Sequence, residues 1–445
     1  MSLLQSIKTF RGGVHPLEYK DLTENLAFEV MPNPKEVIIP IKQHIGKDSK
    51  PLVKKKDEVK AGQIIAEPDG FISSPIHSSV NGVVVNLHKE NNASGFPVEA
   101  ISIKPNEESE VLRMIPLNPK EITPEEIRER VREAGIVGQG GAAFPTFVKL
   151  TPPKDNVIDY VIINGAECEP YLTRDYRYML ERPKEIINGL KLIMKALGVA
   201  KGAIGIEDNK PEAIEVMKHI SADDENISVE VVKTKYPQGA EKMLIKAITG
   251  REVPPGKLPL DCGVVIQNIG TAIAISDAVI KGEAQITAAL TVSGLGIVNP
   301  KNLIVKVGTP LKEIIEYCGG VTDKARKVIV GGPMMGTAQF DFSAPVMKAT
   351  SGILVLTDDE INEHEQTACL RCGKCVEACP LNLIPTKLAR YSQLEKWEEA
   401  ELFDITTCME CGTCTFTCPA NIPLVQWVRL GKQKVIQMQR DKKTA

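Results

Sequence analysis

Eight cysteines stand in two runs of identical spacing. The first is Cys369, Cys372, Cys375 and Cys379, followed by Pro380; the second is Cys408, Cys411, Cys414 and Cys418, followed by Pro419. The pattern C-x2-C-x2-C-x3-C-P is one in which three thiolates of a run hold a [4Fe–4S] cluster and the fourth ligates the other cluster. The expected sets are Cys369, Cys372, Cys375 with Cys418, and Cys408, Cys411, Cys414 with Cys379. Gly373 and Gly412 fall where the backbone must curl around a cluster, a conformation that a Cβ hinders. Structural zinc or paired disulfides are the plainer alternatives. Zinc sites use four ligands with wider separations between pairs, and two identical runs ending in proline fit them poorly. The chemistry these residues suit is transfer of single electrons.

A second group has no redox chemistry of its own. The stretch GIVGQGGAAFPTFVKL carries Gly138, Gly140 and Gly141, a backbone that can approach a ligand closely and offer N–H groups to phosphate. A plain connecting turn is the alternative, and the surroundings weigh against it. VIDYVIIN (157–164) reads as a buried strand ending at Asn164, with GAECEPYLTRD after it. An amphipathic helix is expected over 183–197, ended by Gly198. A buried strand follows at 203–208 and a helix at 210–220. Such alternation predicts a parallel α/β sheet, with polar residues gathered beyond the carboxyl ends of its strands, where these folds bind cofactors.

The elements that must carry these groups are read from the rest of the chain. Its 445 residues suit about three domains; 43% are hydrophobic, 25% charged, and the net charge is −3. That balance lacks the basic excess of a nucleic-acid binder. Cys168, Cys262 and Cys318 are scattered and imply no disulfide framework, so a reducing compartment is expected. Neither a signal peptide nor 18 uninterrupted apolar residues is found, so the chain is expected to be soluble and able to dock on a membrane partner.

Residues 1–30 read as an irregular arm. From 31 to 110, short apolar runs broken by turns predict a small β module. Its stretch KKDEVKAGQIIAE…SPIHSSVNGVVVNL resembles the lipoyl and biotinyl barrel-sandwich family. The segment 67–75, EPDGFISSP, lacks the modifiable lysine of that family, which leaves a structural or docking role. Lys54, Lys55 and Lys56 are a solvated charge run. A helix over 123–134 should start with a Thr123–Glu126 capping box and Pro124 at its first position. Residues 286–345 hold short strands and a helix expected to be N-capped at Thr309. VIVGGPMMG (328–336) either lines the dinucleotide pocket or joins modules. Helical spacing returns at 385–402 and again in the last segment, before a basic tail, 429–445. The tail holds six basic residues against Asp441 and could meet anionic lipid, an acidic partner or only solvent.

Four segments together carry a specific resemblance: GQGGAAFPTFVK (138–149), NGAECEP (164–170), YPQGAE (236–241) and VIQNIGTA (265–272). They resemble the flavin-site segments of the NADH-oxidising, FMN-binding subunit of respiratory complex I. Nearly the whole chain is similar to the C subunits of Rnf ion-translocating ferredoxin:NAD oxidoreductases. The resemblance implies a multidomain α/β fold: arm 1–30, barrel-sandwich module 31–110, Rossmann-like FMN/NADH domain 120–285, β-grasp (soluble-ligand-binding) module 286–345, α-helical double-cluster ferredoxin domain 346–428 and tail 429–445. It implies that Gly138, Gly140 and Gly141 cradle the flavin phosphate, with Lys149 compensating its charge. Glu167, Glu169 and Glu241 correspond to carboxylates near the isoalloxazine and nicotinamide. Asn164 and Asn268 fall on flavin-binding asparagines, and Tyr236 on an aromatic beside the dinucleotide. Gln139, Ala166, Ala240 and Gln267 depart from the complex I pattern at an arginine, an aspartate, an acidic residue and an asparagine. Phe144-Pro145 reads as core packing, and Cys168 as a small hydrophobe without a catalytic role.

The function implied is electron transfer between NAD(H), FMN and two [4Fe–4S] clusters, to or from partner redox subunits of a membrane-bound complex. The chain would be peripheral, on the cytoplasmic side of a bacterial or archaeal membrane. Two rival functions fit the same residues: a cobalamin reductase of diol-utilisation microcompartments, and a non-enzymatic electron wire whose flavin site is empty.

Overall fold

The structure is a computed structural model and describes residues 7–444 apart from 94 and 363; the first six residues of the expected arm and Ala445 lie outside the described residues. A four-stranded parallel sheet forms the middle of the chain, in the order Ile227–Val232, Gly202–Glu207, Tyr160–Gly165, Val264–Asn268. Its central strands are apolar on both faces because helices cover both. Helices Pro183–Leu197 and Ile269–Ile280 pack on one side over Val161, Ile163 and Ile204. Helix Glu241–Thr249 packs on the other, over Ile162, Ala203 and Ile266. Parallel register places Asn164 opposite Asn268 at the carboxyl ends of neighbouring strands.

Several local signals act as the sequence suggests. Helix Pro124–Glu133 starts with the reciprocal capping box: Glu126 N donates to Thr123 Oγ1 at 3.3 Å, and Thr123 N to Glu126 Oε2 at 2.7 Å. Gly198 ends Pro183–Leu197 with φ 68°. The Thr309 cap does not form. Its hydroxyl donates to Lys306 O at 2.7 Å, and the helix Leu311–Tyr317 begins after Pro310 without a side-chain cap.

Before this sheet lies a β module of two small sheets, one of four strands and one of three, closed around Val37, Ile39, Ile65, Ile76, Ile101 and Ile103. Its 67–75 segment turns toward the central domain, where Phe71 meets Phe147 edge-on with centroids 5.7 Å apart. After the central sheet comes a mixed six-stranded sheet whose edge strand, Phe28–Val30, comes from the arm. Another member, Gly352–Thr357, lies inside the span expected to be ferredoxin-like. All six of its residues are buried, and it pairs with Thr291, Val292 and Ser293 and with the strand Ala325–Val330. An apolar run that can complete a sheet does so, so the β module extends past residue 345.

The last domain is helical. The left-handed positions repeat from one cysteine run to the next: Arg371 and Glu410, Gly373 and Gly412, Asn382 and Asn421. Span 385–402 divides into Pro385–Gln393 and Trp397–Leu402. Residues 429–444 form no separate tail; they continue the helix Leu424–Thr444, in which Val428 and Val435 are buried in the domain core.

Candidate functional site

The glycine loop lies over the start of helix Ile269–Ile280. Asn268 caps that helix, its Oδ1 accepting from Gly270 N at 2.8 Å. Gln139 straps the loop down: its N donates to Thr271 Oγ1 at 2.9 Å and its Nε2 to Gly270 O at 3.2 Å. Gly140 has φ +69°, and a Cβ there would fall 3.0 Å from Asn268 Nδ2. A Cβ on Gly141 would meet nothing within 4 Å. Gly138 N is taken by Phe144 O at 2.9 Å. Among the described residues no acceptor meets the N–H groups of Gly140 and Gly141, which are exposed. Unpartnered N–H groups beside a helix N-terminus fit a phosphate.

A buried cation, Arg174, stands beside this loop. Lys149 Nζ donates to Glu241 Oε1 at 2.6 Å and to Ile266 O at 3.2 Å, so its charge is matched within the chain. Arg174 is 2% exposed, with Nη2 3.7 Å from the Cβ position of Gly140. It donates to Asp175 Oδ1 at 3.0 Å, and Asn268 Nδ2 donates to Asp175 Oδ2 at 2.6 Å. Arg174 and Asp175 end the GAECEPYLTRD stretch, where no role was expected of them; their one signal was adjacency to the NGAECEP segment.

The two carboxylates of that segment serve different elements. Glu167 Oε1 accepts from Asp175 N at 2.7 Å and Oε2 from Tyr176 N at 3.3 Å. It thus caps helix Arg174–Glu181, whose own N-cap residue Thr173 makes no side-chain cap, and burial raises its pKa. Glu169 accepts from Met334 N and Met335 N, each at 3.0 Å. The 331–336 turn therefore closes directly on it, so tightly that a Cβ on Gly332 would lie 2.3 Å from Glu169 Oε2. Burial pushes Glu169 up to about 7 despite these two donors.

Lys20, from the arm, organises the same segment from below. Its Nζ donates to the carbonyls of Glu167 at 2.9 Å, Glu169 at 3.0 Å and Leu172 at 2.5 Å. Burial, then Lys210, lowers its pKa. Nothing in the sequence marked Lys20, because its partners are backbone atoms about 150 residues away. Asn164 Nδ2 donates to Gly239 O at 2.8 Å, joining NGAECEP to YPQGAE. Tyr236, expected beside the dinucleotide, is buried and donates its hydroxyl to Cys411 O at 2.7 Å.

Four thiols from both runs ring one cavity. Cys379 lines it with Cys408, Cys411 and Cys414, backed by Leu388, Val425 and Val428. Burial raises the Cys408 thiol to about 11 and Cys414 to about 12, a desolvated setting in which thiolate forms when a metal takes the negative charge. Among the described residues, no three His, Cys, Asp or Glu side chains gather closely enough for a single metal ion. Four sulfur donors drawn from both runs around a mostly apolar cavity are a donor set that suits a [4Fe–4S] cluster. Of the other set, Cys375 is buried with Cys418 and Cys372 among its charged neighbours. Cys369 and Cys372 are exposed, on a loop whose Leu370 is 66% exposed.

Four family models match in chain order: the RnfC barrel sandwich hybrid domain over 8–108, the Nuo51 FMN-binding domain over 131–277, the SLBB domain over 290–338 and the 4Fe-4S dicluster domain over 345–422. The chain is 49% identical over 399 residues to the C subunit of the proton-translocating ferredoxin:NAD(+) oxidoreductase complex of Clostridium ljungdahlii, covering 89% of this chain and 87% of that one. It is 45% identical over 438 residues to the Na(+)-translocating counterpart of Acetobacterium woodii, covering 97% and 98%. This chain belongs to the RnfC family, the C subunits of ion-translocating ferredoxin:NAD(+) oxidoreductases. As a family member it is an oxidoreductase subunit with an FMN-binding segment and a segment for two [4Fe–4S] clusters. A solved NAD+-reducing [NiFe]-hydrogenase in the H2-reduced state shares the fold, at TM-score 0.51 and 17% identity, over 72% of this chain and 62% of that one. No helix among the described residues is long and apolar enough to cross a membrane.

Proposed function

We propose that this chain exchanges electrons with NAD(H) at FMN and relays them through two [4Fe–4S] clusters to or from partner subunits of a membrane-associated complex. The names of its relatives support the NAD and ferredoxin ends of that reaction. Three units divide the work: a Rossmann-like flavin domain, a β-grasp module that includes 352–357, and a helical double-cluster domain. The chain would sit peripherally, on the cytoplasmic side.

Bound FMN supplies the exchange between a hydride and single electrons. The protein's tasks are then to bind, orient and shield. N–H groups of Gly140 and Gly141 take the phosphate, with the helix Ile269–Ile280 dipole behind them and Arg174 beneath. Glu169, held by the 331–336 turn, positions the nicotinamide, so that turn belongs to the pocket rather than to a linker. Glu167 acts at one remove, by fixing the helix on which Arg174 stands. Glu241 and Lys149 fix the far flank of the loop as a pair. Cys379, Cys408, Cys411 and Cys414 hold the cluster nearer the flavin, and Cys369, Cys372, Cys375 and Cys418 hold the one nearer the surface and the partner.

The observation that carries this reading is the mixed ring of thiols, set against the flavin segments through Tyr236 and the 331–336 turn. Anaerobic purification with cofactor extraction tests it, together with absorbance spectra before and after NADH. One FMN per chain and bleaching of both chromophores by NADH are expected. A chain without FMN would leave the electron-wire alternative, and an FMN-bearing chain whose spectra ignore NADH would overturn the NAD(H) reading.

A further inference from the structure

The flavin segments and the thiol-lined cavity meet at Tyr236. Its side chain is 1% exposed, and the hydroxyl donates to Cys411 O at 2.7 Å. The arm grips the same residue from the other side. Val14 N donates to Tyr236 O at 2.8 Å, and Tyr236 N to Val14 O at 2.9 Å. One residue earlier, Gly13 N donates to Ala378 O at 2.9 Å, and a Cβ on Gly12 would lie 3.1 Å from Cys379 O. Cys411 and Cys379 come from different runs and line the same cavity; Cys411 is bonded to Tyr236 directly, and Cys379 lies against the arm that grips it. On the opposite flank, a Cβ on Gly412 would lie 3.1 Å from the carbonyl of Met334, the residue whose N–H is held by Glu169.

We propose that Tyr236 is a positioning residue for electron transfer: its hydroxyl fixes the Cys411 peptide against the flavin domain and stabilises the reduced state of the cluster held by Cys379, Cys408, Cys411 and Cys414. This rests on the reading that those thiolates hold a [4Fe–4S] cluster. A reduced cluster carries one more negative charge. Hydrogen bonding around a cluster is one of the protein's levers on potential; here the phenol O–H partly offsets the negative carbonyl oxygen of Cys411, and less negative surroundings favour the added charge. The phenol is the only side chain of the flavin segments that the structure places, among the described residues, in a hydrogen bond to a cluster-run cysteine. Cys369, Cys372, Cys375 and Cys418 receive no such bond among the described residues, so the effect belongs to one cluster. Removing the hydroxyl also strands a buried carbonyl, which loosens the Cys411 peptide locally.

The test uses the full chain, reconstituted anaerobically, with the two clusters resolved by EPR-monitored redox titration. Tyr236→Phe is expected to keep wild-type iron and FMN stoichiometry. The affected cluster should become harder to reduce by up to about fivefold, the ceiling set by the worth of one net hydrogen bond, or at most roughly 40 mV at 59 mV per tenfold for one electron. The other cluster should keep its midpoint. A difluorotyrosine installed at 236, a stronger donor of nearly the same shape, should shift the same cluster the opposite way. Unchanged midpoints with a raised KM for NADH would return Tyr236 to the dinucleotide site and overturn the proposal, and equal shifts in both clusters would also overturn it. If Tyr236→Phe fails to hold iron, the difluorotyrosine variant decides alone: an upward shift supports the proposal, and no shift rejects it. A wild-type chain that takes up no iron rejects the cluster reading itself, a result distinct from any variant's midpoint.

Discussion

At Gly140 a φ of +69° combines with a Cβ position 3.0 Å from Asn268 Nδ2, so a branched side chain there is strained twice over. Gly140→Val should abolish FMN retention on gel filtration while leaving cluster absorbance intact. Wild-type FMN stoichiometry in that variant would reduce the loop to a turn. Glu169 supports a pH prediction. Its folded pKa of about 7 lies above the ordinary carboxyl value, so the fold favours the protonated form. That preference adds stability below the unfolded pKa, and the contribution is lost as pH rises through about 7. The charged form is the one that accepts from both Met334 and Met335. NADH-driven flavin reduction should therefore slow as pH falls from about 8 to about 6, across the Glu169 titration. Glu169→Gln should keep the flavin, reduce more slowly and lose this pH step; a stopped-flow profile of unchanged shape would remove the carboxyl from the chemistry.

Among the elements, the arm looks least structured in sequence yet ties the others together. Lys20 holds three carbonyls of the 167–172 segment, Phe28–Val30 completes a sheet, and Gly13 reaches the cluster domain. Lys20→Met leaves those carbonyls without a donor, at about 1–3 kcal/mol for each buried group, less whatever relaxation recovers. Hydrogen exchange should rise selectively over 165–173, with weakened FMN binding and a normal cluster spectrum. Uniform exchange across the chain would show that Lys20 supports global stability only. The helix Leu424–Thr444 makes a complementary point. Buried Val428 and Val435 seat it on the cluster domain, so residues from 429 onward are part of that domain's support.

For the whole molecule, the two cysteine runs are expected to exchange their fourth ligands. About eight iron and eight sulfide per chain are expected after reconstitution, and four iron, or zinc, would overturn that count. Because Cys379 lies with Cys408, Cys411 and Cys414, Cys379→Ser should perturb the EPR signal of the cluster held by the second run and spare the other. A change confined to the cluster of Cys369, Cys372 and Cys375 would reverse the pairing. The isolated chain is also expected to release neutral liposomes in high salt, since no helix among the described residues is long and apolar enough to span a bilayer; salt-resistant flotation with such vesicles would contradict a purely peripheral attachment.

The cysteine spacing, the glycine loop, the helix Pro183–Leu197 and the Thr123 capping box were all legible in the sequence. Each is local: ligand spacing, positive φ and capping depend on residues a few positions apart. The order of the four modules was legible too, through segments specific in combination. What the chain alone could not disclose depends on distant backbone. Lys20 finds carbonyls at 167–172, Tyr236 finds the carbonyl of Cys411, and Glu169 finds the N–H groups of 334 and 335. Backbone acceptors carry no residue signature, so no pattern predicts which side chain will meet them. Charge pairing is set the same way: Lys149, next to the glycine loop in sequence, pairs with Glu241. Arg174, buried on a helix that begins after the second segment, becomes the cation under the loop. Tertiary structure decided those pairings because a buried charge takes the partner that the packing brings within reach, whatever its distance along the chain.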